Sequence, residues 1–176
     1  TEAIIKASYR DKALSQTFIS HTLGVYRHTN ALKHLHPELR VYLRRDMSRF
    51  SYFPDSPPDA FLSLKLNDAP KRFFLDYISD DLPRNVLARR ILGYAEFFDD
   101  GGWDTTNSEV PKVLFIAEKA TTANRVKRTA QVTLNRADVD LEVYITTAAA
   151  LANTDSMDKV WTDMNEPDEL LSLVDV

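Results

Sequence analysis

Residues 57–98 constrain the fold more than any other part of the chain, because they combine two short apolar runs with an amphipathic pattern. The apolar runs, Pro57–Leu66 and Arg72–Ile78, flank a turn-forming Asn-Asp-Ala-Pro sequence and predict a β-hairpin. A helical pattern introduced by a proline follows from Pro83 to Phe98. The predicted order is therefore strand, strand, helix.

Two aspartates occupy matching places in this hairpin. Asp59 opens the first strand, and Asp76 lies late in the second. Because adjacent antiparallel strands bring such positions to one edge of a sheet, we expect the two carboxylates within about 8 Å of each other. Paired carboxylates are the ligands that a hard cation such as Mg²⁺ prefers, so this edge is a candidate metal site.

Several short motifs recur in a characteristic order within residues 17–145. They are His21-Thr22-Leu23, Pro58-Asp59, Phe73-Phe74-Leu75-Asp76, Arg90-Ile91-Leu92-Gly93-Tyr94 and Pro111-Lys112-Val113-Leu114-Phe115-Ile116. In this order they resemble the core of the PD-(D/E)xK nuclease superfamily and, more narrowly, the C-terminal domain of the replication-relaxation family of bacterial plasmids and mobile elements. The resemblance implies a restriction-endonuclease-like topology, DNA as a partner, and a relaxase or replication protein as a further partner.

Members of that family usually carry a winged-helix DNA-binding domain ahead of this region. No pattern in the present sequence predicts such a domain. The chain is therefore interpreted as a fragment or as a single-domain relative.

The sequence departs from the nuclease pattern at one position. The superfamily places a lysine two residues after the second acid, where this chain has Ile78. Arg90 is the candidate substitute, because Leu87, Arg90, Ile91 and Tyr94 share one stripe of the predicted helix. The catalytic set that the resemblance implies is thus Asp59 and Asp76 as metal ligands with Arg90 as phosphate clamp. In the alternative interpretation, Asp59 caps a turn, Asp76 pairs with Arg90 or Arg72, and the site is a degenerate remnant.

The charge distribution supports DNA binding only locally. The net charge of −4 opposes bulk electrostatic attraction to phosphates. Two basic runs supply candidate nucleic-acid-binding residues, and a region richer in acids from residue 154 onward offsets them in the average. The candidates are Arg44, Arg45 and Arg49 in the first run, with Arg40 beside them, and Arg125, Lys127 and Arg128 in the second, with Arg136 beyond. The alternative is that both runs are solvated surface.

A long amphipathic helix is predicted from about Ser15 to His36, with Ser15 as its cap. Its apolar stripe consists of Leu14, Phe18, His21, Val25, His28, Leu32 and Leu35. The four histidines of the chain, at positions 21, 28, 34 and 36, suggest a metal cluster. His21 and His28 are two turns apart, however, so core or supporting histidines are the favoured interpretation.

The next segment contains a predicted strand and an aromatic loop. Leu39–Leu43 has the pattern of a strand, and the resemblance assigns an extra acid to this strand, for which Asp46 is the nearest candidate. The loop from Ser48 to Pro58 contains Phe50, Tyr52 and Phe53. These rings are suited either to stacking on bases or to covering the hairpin.

The second half of the chain alternates strand and helix. Val113–Ala117 predicts a strand buried on both faces, Thr121–Ala137 a helix, and Leu141–Thr146 a further strand, parallel to the first. A short helix from Ala148 precedes an irregular acidic tail, in which Trp161 and the Leu170, Leu171 and Leu173 cluster dock on the body. The predicted fold class is α/β, with a mixed central sheet of about five strands flanked by helices.

Length and composition place the chain in a broad class. At 176 residues and 44% hydrophobic content, it suits a single domain over residues 1–176, with an acidic tail over about 150–176. It contains no Cys, which fits a reducing compartment. No apolar run approaches the roughly 20 residues that span a bilayer. We therefore expect a cytoplasmic protein without a membrane partner.

Three functions remain open on the sequence. The first is a DNA-associated accessory domain in plasmid or mobile-element replication, relaxation or conjugation, which needs no cofactor. The second is a divalent-metal-dependent DNA phosphodiesterase, a nuclease with Mg²⁺ as its cofactor. The third is a protein–protein interaction module that uses the acidic tail and the aromatic loop.

Overall fold

A computed structural model describes residues 16–66, 69–155, 157–166 and 168–176. Within those residues, seven strands form one mixed sheet in which spatial order follows chain order. The strands are β1 (Leu39–Leu43), β2 (Ala60–Leu66), β3 (Ala69–Ile78), β4 (Lys112–Ala117), β5 (Val143–Thr147), β6 (Trp161–Asp163) and β7 (Leu170–Leu171). The β3–β4 and β4–β5 pairs are parallel, and the other neighbouring pairs are antiparallel. The predicted α/β class with a mixed sheet is confirmed, with seven described strands rather than about five.

Helices cover both faces of the sheet. They are α1 (Gln16–Leu35), α2 (Arg44–Met47), α3 (Arg84–Asp99), α4 (Ala120–Ala137) and α5 (Ala148–Ala152), with a 3₁₀ turn at Asp104–Thr106. Side chains of α3 and α4 pack with one set of strand residues, including Phe74 and Phe115. Leu32 of α1 and Leu151 of α5 pack with the alternate set. Because successive strand residues face opposite sides, the sheet is the middle layer of three.

The central strand β4 fits its predicted place. All five side chains from Val113 to Ala117 are buried. The strand lies between two parallel neighbours, and a strand covered on both faces needs a continuous apolar run. The predicted strand, helix, strand order in this half is therefore confirmed.

The hairpin of β2 and β3 sets the position of the two acids. Ala60 pairs with Leu75, so Asp59 and Asp76 occupy the next positions along the two strands. Helix α3 starts directly after Pro83, where the extended backbone of a proline suits a helix start. The predicted turn residues Asn67 and Asp68 lie outside the described residues.

The prediction for the first helix is partly wrong. Val25, His28 and Leu32 are buried as expected, whereas Phe18 is 53% exposed. The helical period alone does not distinguish the buried positions of this stripe from the exposed one. The predicted cap Ser15 and the stripe residue Leu14 lie outside the described residues.

The prediction of an irregular tail is also wrong, because β6 and β7 extend the sheet beyond β5. Trp161 and Leu173 are buried as expected. Leu170 is 48% exposed, since it lies on the outermost strand that the structure describes. Three-residue and two-residue strands carry too little pattern to be recognised in sequence.

The aromatic loop covers one end of the hairpin. The ring of Phe53 lies 5.3 Å from that of Phe61 and 5.9 Å from that of Trp103. Tyr52 contacts Trp103 edge-on, while Phe50 stays 45% exposed. Phe53 and Tyr52 thus fulfil the predicted role of covering the hairpin.

Among the described helices, none combines the length and the apolar character that a transmembrane span requires.

Candidate functional site

The structure brings Asp59, Asp76 and Arg90 together. Nη1 of Arg90 lies 2.7 Å from Oδ1 of Asp76 and 3.7 Å from Oδ2 of Asp59. One guanidinium nitrogen therefore contacts both carboxylates, and the expected proximity of the two acids is observed. Strands β2 and β3 position the acids, and α3 positions the arginine above them.

Asp76 is fully buried and has three hydrogen-bond donors. Its Oδ1 accepts from Arg90 and from the backbone N–H of Asp59 at 2.9 Å. Its Oδ2 accepts from the Tyr94 hydroxyl at 2.7 Å. Tyr94 lies one helical turn after Arg90, so both side chains point from α3 towards the same carboxylate.

Asp59 is held by a second set of donors. Its Oδ2 accepts from the backbone N–H of Tyr77 at 3.1 Å and lies 3.0 Å from Nε2 of His21. Its Oδ1 accepts from Nη2 of Arg44 at 3.4 Å. We refer to the side chains of His21, Arg44, Asp59, Asp76, Arg90 and Tyr94 as the paired-acid network.

The pKa values in the network follow from burial and charge. Burial raises the pKa of Asp76 above its ordinary value, although Arg90 opposes that shift. Burial also acts to raise the pKa of Asp59, but the hydrogen bond from His21 and the Arg90 charge hold it below its ordinary value. The Asp76 carboxylate raises the pKa of Arg90. The charge of Arg90 thus stabilises the ionised forms of both acids.

The arrangement does not fit a Mg²⁺ ion as it stands. All four carboxylate oxygens of Asp59 and Asp76 already accept hydrogen bonds from protein donors. Among the described residues, no three His, Asp or Glu side chains are grouped as metal ligands. A cation entering here would compete with the positive charges of Arg90 and Arg44, which already contact the oxygens of these two acids.

The position at which the nuclease pattern has lysine is apolar and buried in this chain. Ile78 has no exposed surface and packs in the same core cluster as Phe74 and Leu87. It lies two residues after Asp76 on β3, so it faces the same side of the sheet. The only cationic side chains that contact the two acids within the described residues are those of Arg90, Arg44 and, when protonated, His21.

The extra acid expected near the first strand has a different role. Oδ2 of Asp46 accepts a hydrogen bond from the backbone N–H of Leu43 at 3.0 Å. It therefore closes the first turn of α2, a short helix that the sequence pattern did not predict. The contact that the structure shows for Asp46 is therefore with a residue only three positions earlier in the chain.

The two basic runs have different surroundings. Arg45 and Arg49 are exposed beside Arg44, which reaches Asp59 and also donates to the carbonyl of Pro57 at 3.1 Å. In the second run, Arg125 donates to the carbonyls of Ser79 and Asp80, both at 2.9 Å. Of its neighbours, Arg128 is exposed and Lys127 half-buried. The first run thus begins at the paired-acid network, whereas Arg125 supports the end of β3.

An open groove of about 650 Å³ adjoins the network. It is lined by Phe53, Pro54, Asp55, Ser56, Val86, Arg89, Arg90, Gly93, Tyr94, Glu96 and Phe97. One wall is the loop over residues 53–56, and the other is α3. We refer to it as the α3 groove, and Arg90 and Tyr94 belong to both the groove and the network.

Tyr94 had no predicted functional role, and His21 was expected only as a core or supporting histidine. Tyr94 shares the predicted helical stripe with Arg90, and this shared stripe is a signal that could have identified it. His21 belongs to a motif of the resemblance and to an apolar stripe, which together indicate a supporting histidine. His28 packs against the Tyr77 ring at 5.0 Å, and burial lowers its pKa, as suits a core histidine.

The contact between His21 and Asp59 should make stability depend on pH. The hydrogen bond to Asp59 raises the pKa of His21 above 6.5 in the folded state. A raised pKa contributes stability below the unfolded value and loses it as the pH rises through the folded value. We therefore expect His21→Gln to lower Tm more at about pH 5.5 than at about pH 8.5. His34→Gln, on the exposed side of α1, is the matched control, and an equal Tm loss at both pH values would contradict this prediction.

Comparison with known protein families, with curated proteins and with solved structures gives no match to this chain. Its function is therefore inferred from the geometry of the paired-acid network and of the α3 groove.

Proposed function

We propose that this chain is a DNA-associated accessory domain that binds phosphates through arginines around the paired-acid network and does not cleave DNA. The observation that carries the proposal is the placement of Arg90 and Arg44 on the two buried acids. A nuclease scaffold needs those carboxylate oxygens for metal ions. Here they orient arginines instead.

The orientation of these cations suits phosphate binding. Each guanidinium keeps some of its N–H groups when it contacts a carboxylate, and the planar fork can then hold a phosphate oxygen. The Arg90 side chain is 18% exposed and that of Arg44 is 53% exposed. Arg45, Arg49 and Arg89 are exposed near them in sequence, which adds positive charge around the network.

The absence of cleavage follows from the chemistry of the same residues. Arginine holds a phosphate but does not act as a base at neutral pH. Ile78 supplies neither charge nor a proton at the position where the superfamily has lysine. Activation of a water would therefore fall to carboxylates that already accept hydrogen bonds from Arg90, Tyr94, His21 and backbone N–H groups.

The resemblance to the replication-relaxation family gives the proposal its biological setting. A domain of this kind would act in plasmid or mobile-element replication, relaxation or conjugation, beside a relaxase or replication protein. Its compartment would be the cytoplasm, which agrees with a chain that contains no Cys.

Removing exposed arginines of the first run should weaken binding to all DNA sequences. For Arg45→Ala combined with Arg49→Ala, we expect the slope of log K against log salt to fall by about two, one unit for each phosphate that the variant no longer neutralises. Fluorescence anisotropy with a labelled duplex at several salt concentrations measures this slope. Arg128→Ala combined with Arg136→Ala removes the same charge from exposed positions on α4 and is the matched control.

Two results would argue against the proposal. Equal losses of affinity in both double variants would mean that DNA binding depends only on the net charge of the protein. If the unmodified chain binds no DNA at any salt concentration, the protein–protein interaction module becomes the better description.

A further inference from the structure

The α3 groove combines aromatic and cationic side chains within one space. Phe53 on the loop and Phe97 on α3 both line it and are half-buried. Arg89 and Arg90 lie earlier on the same helix, with the Arg90 guanidinium fixed by Asp76. Rings beside a fixed cation suit a ligand that carries both a planar base and a phosphate.

Gly93 provides a second, independent observation. It lies inside α3, where glycine weakens a helix relative to alanine. Apart from Gly93, its chain neighbours and the nearby backbone of α3, no heavy atom of the described residues lies within 4 Å of the position that a Cβ would take there. Close packing among the described residues therefore gives no reason for a glycine. Because Gly93 lines the groove between the arginines and Phe97, its missing side chain leaves the helix surface flat for a ligand.

Size and charge narrow the class of ligand. A space of about 650 Å³ lies within the usual range for small-molecule sites and has room for one or two nucleotides. Asp55 on the loop and Glu96 on the helix also line it, and carboxylates accept hydrogen bonds from the N–H groups of unpaired bases, such as N3–H of thymine or the amino group of cytosine. In a duplex those base edges and faces are paired and stacked, whereas in a single strand they are free.

We propose that the α3 groove binds unpaired nucleotides of single-stranded DNA, with a base over Gly93 between Phe53 and Phe97 and its phosphate at Arg89 and Arg90. This inference rests on the proposed function and specifies the strand state that the domain recognises. The arginines of the first run, which begin at the network, then hold the phosphates of the flanking nucleotides.

The experiment measures the affinity of the full chain for three labelled probes of equal length. They are an oligothymidylate of about 20 nucleotides, an abasic strand with the same phosphates but no bases, and a duplex. Stacking of even one base is expected to make the oligothymidylate bind about tenfold more tightly than the abasic strand.

Gly93→Leu places a side chain in the groove without breaking the helix. We expect it to reduce oligothymidylate affinity about tenfold, to leave abasic binding unchanged, and to keep Tm at or above that of the unmodified chain. Thr121→Leu adds the same side chain at an exposed position of α4 and should change neither affinity. Gly93→Ala is the smaller step, and its oligothymidylate affinity should lie between those of the unmodified chain and Gly93→Leu.

The outcomes separate the two proposals. Equal affinity for oligothymidylate and abasic strand, or full oligothymidylate binding by Gly93→Leu, would overturn the groove assignment while DNA binding through phosphates stands. Tighter binding of the duplex than of the single strand would also overturn the groove assignment. Failure of the unmodified chain to bind any of the three probes would overturn the proposed function as well.

Discussion

Arg90→Met is expected to lower the free energy of unfolding by about 3–5 kcal/mol, because it leaves two buried carboxylates without their shared cation. Asp76 has no exposed surface, and Asp59 is 7% exposed, so solvent compensates little for the lost guanidinium. Methionine keeps most of the apolar stem, which limits the loss of packing. Urea unfolding gives the midpoint and the slope from which the difference is obtained.

The neighbouring Arg89 provides the matched control for Arg90. It is exposed on the same helix, so Arg89→Met should change stability by no more than about 0.5 kcal/mol. The deficit of Arg90→Met should shrink on acidification. Burial already raises the pKa of Asp76, and loss of Arg90 raises it further, so stability is retained at low pH and lost as the pH rises through the folded value. A deficit below about 1 kcal/mol at neutral pH would show that the network is solvated rather than buried.

Ile78→Lys introduces the lysine of the nuclease pattern that the sequence resembles, and we expect it to destabilise the chain without producing a nuclease. Ile78 is fully buried among apolar side chains, so an ammonium group there costs about 3 kcal/mol or more unless it is paired. The acid two residues before it on β3, Asp76, is already bound to Arg90 and Tyr94. Urea unfolding measures the loss of stability, and conversion of supercoiled plasmid in the presence of Mg²⁺ or Mn²⁺ measures cleavage.

Ile78→Met is the control for this substitution. It places an apolar side chain of similar volume at the same position and should cost less than about 1.5 kcal/mol. If Ile78→Lys is as stable as Ile78→Met, the lysine has found a partner among the acids. Nicking by that variant would then show that the scaffold lacks only this residue for cleavage.

The hairpin and the central strand could be predicted because local pattern decides them. The apolar runs around Asp59 and Asp76 form two antiparallel strands, and the continuous run from Val113 to Ala117 fits a strand buried on both faces. The approach of Arg90 to the acids could also be predicted from the sequence, because the helical stripe that contains Arg90 had to face the sheet. These features depend on residues close together in the sequence.

The rest of the network depends on contacts between distant segments. His21 reaches Asp59 from α1, and Arg44 reaches it from a four-residue helix that has no recognisable pattern. The α3 groove exists because the loop at residues 53–56 stands opposite α3, an arrangement set by packing of Phe53 on Phe61 and Trp103. Sequence periodicity describes a face of one element and contains little information about which loop will lie across it.

Supercoiled plasmid incubated with the purified chain and Mn²⁺ tests the central claim most directly, because one gel shows both binding and cleavage. We predict slower migration of the plasmid at low salt, and plasmid that is still supercoiled once the protein is removed. Nicked circles that accumulate with the unmodified chain, but not with Asp59→Ala or Asp76→Ala, would contradict the claim, as would unchanged migration at every protein concentration.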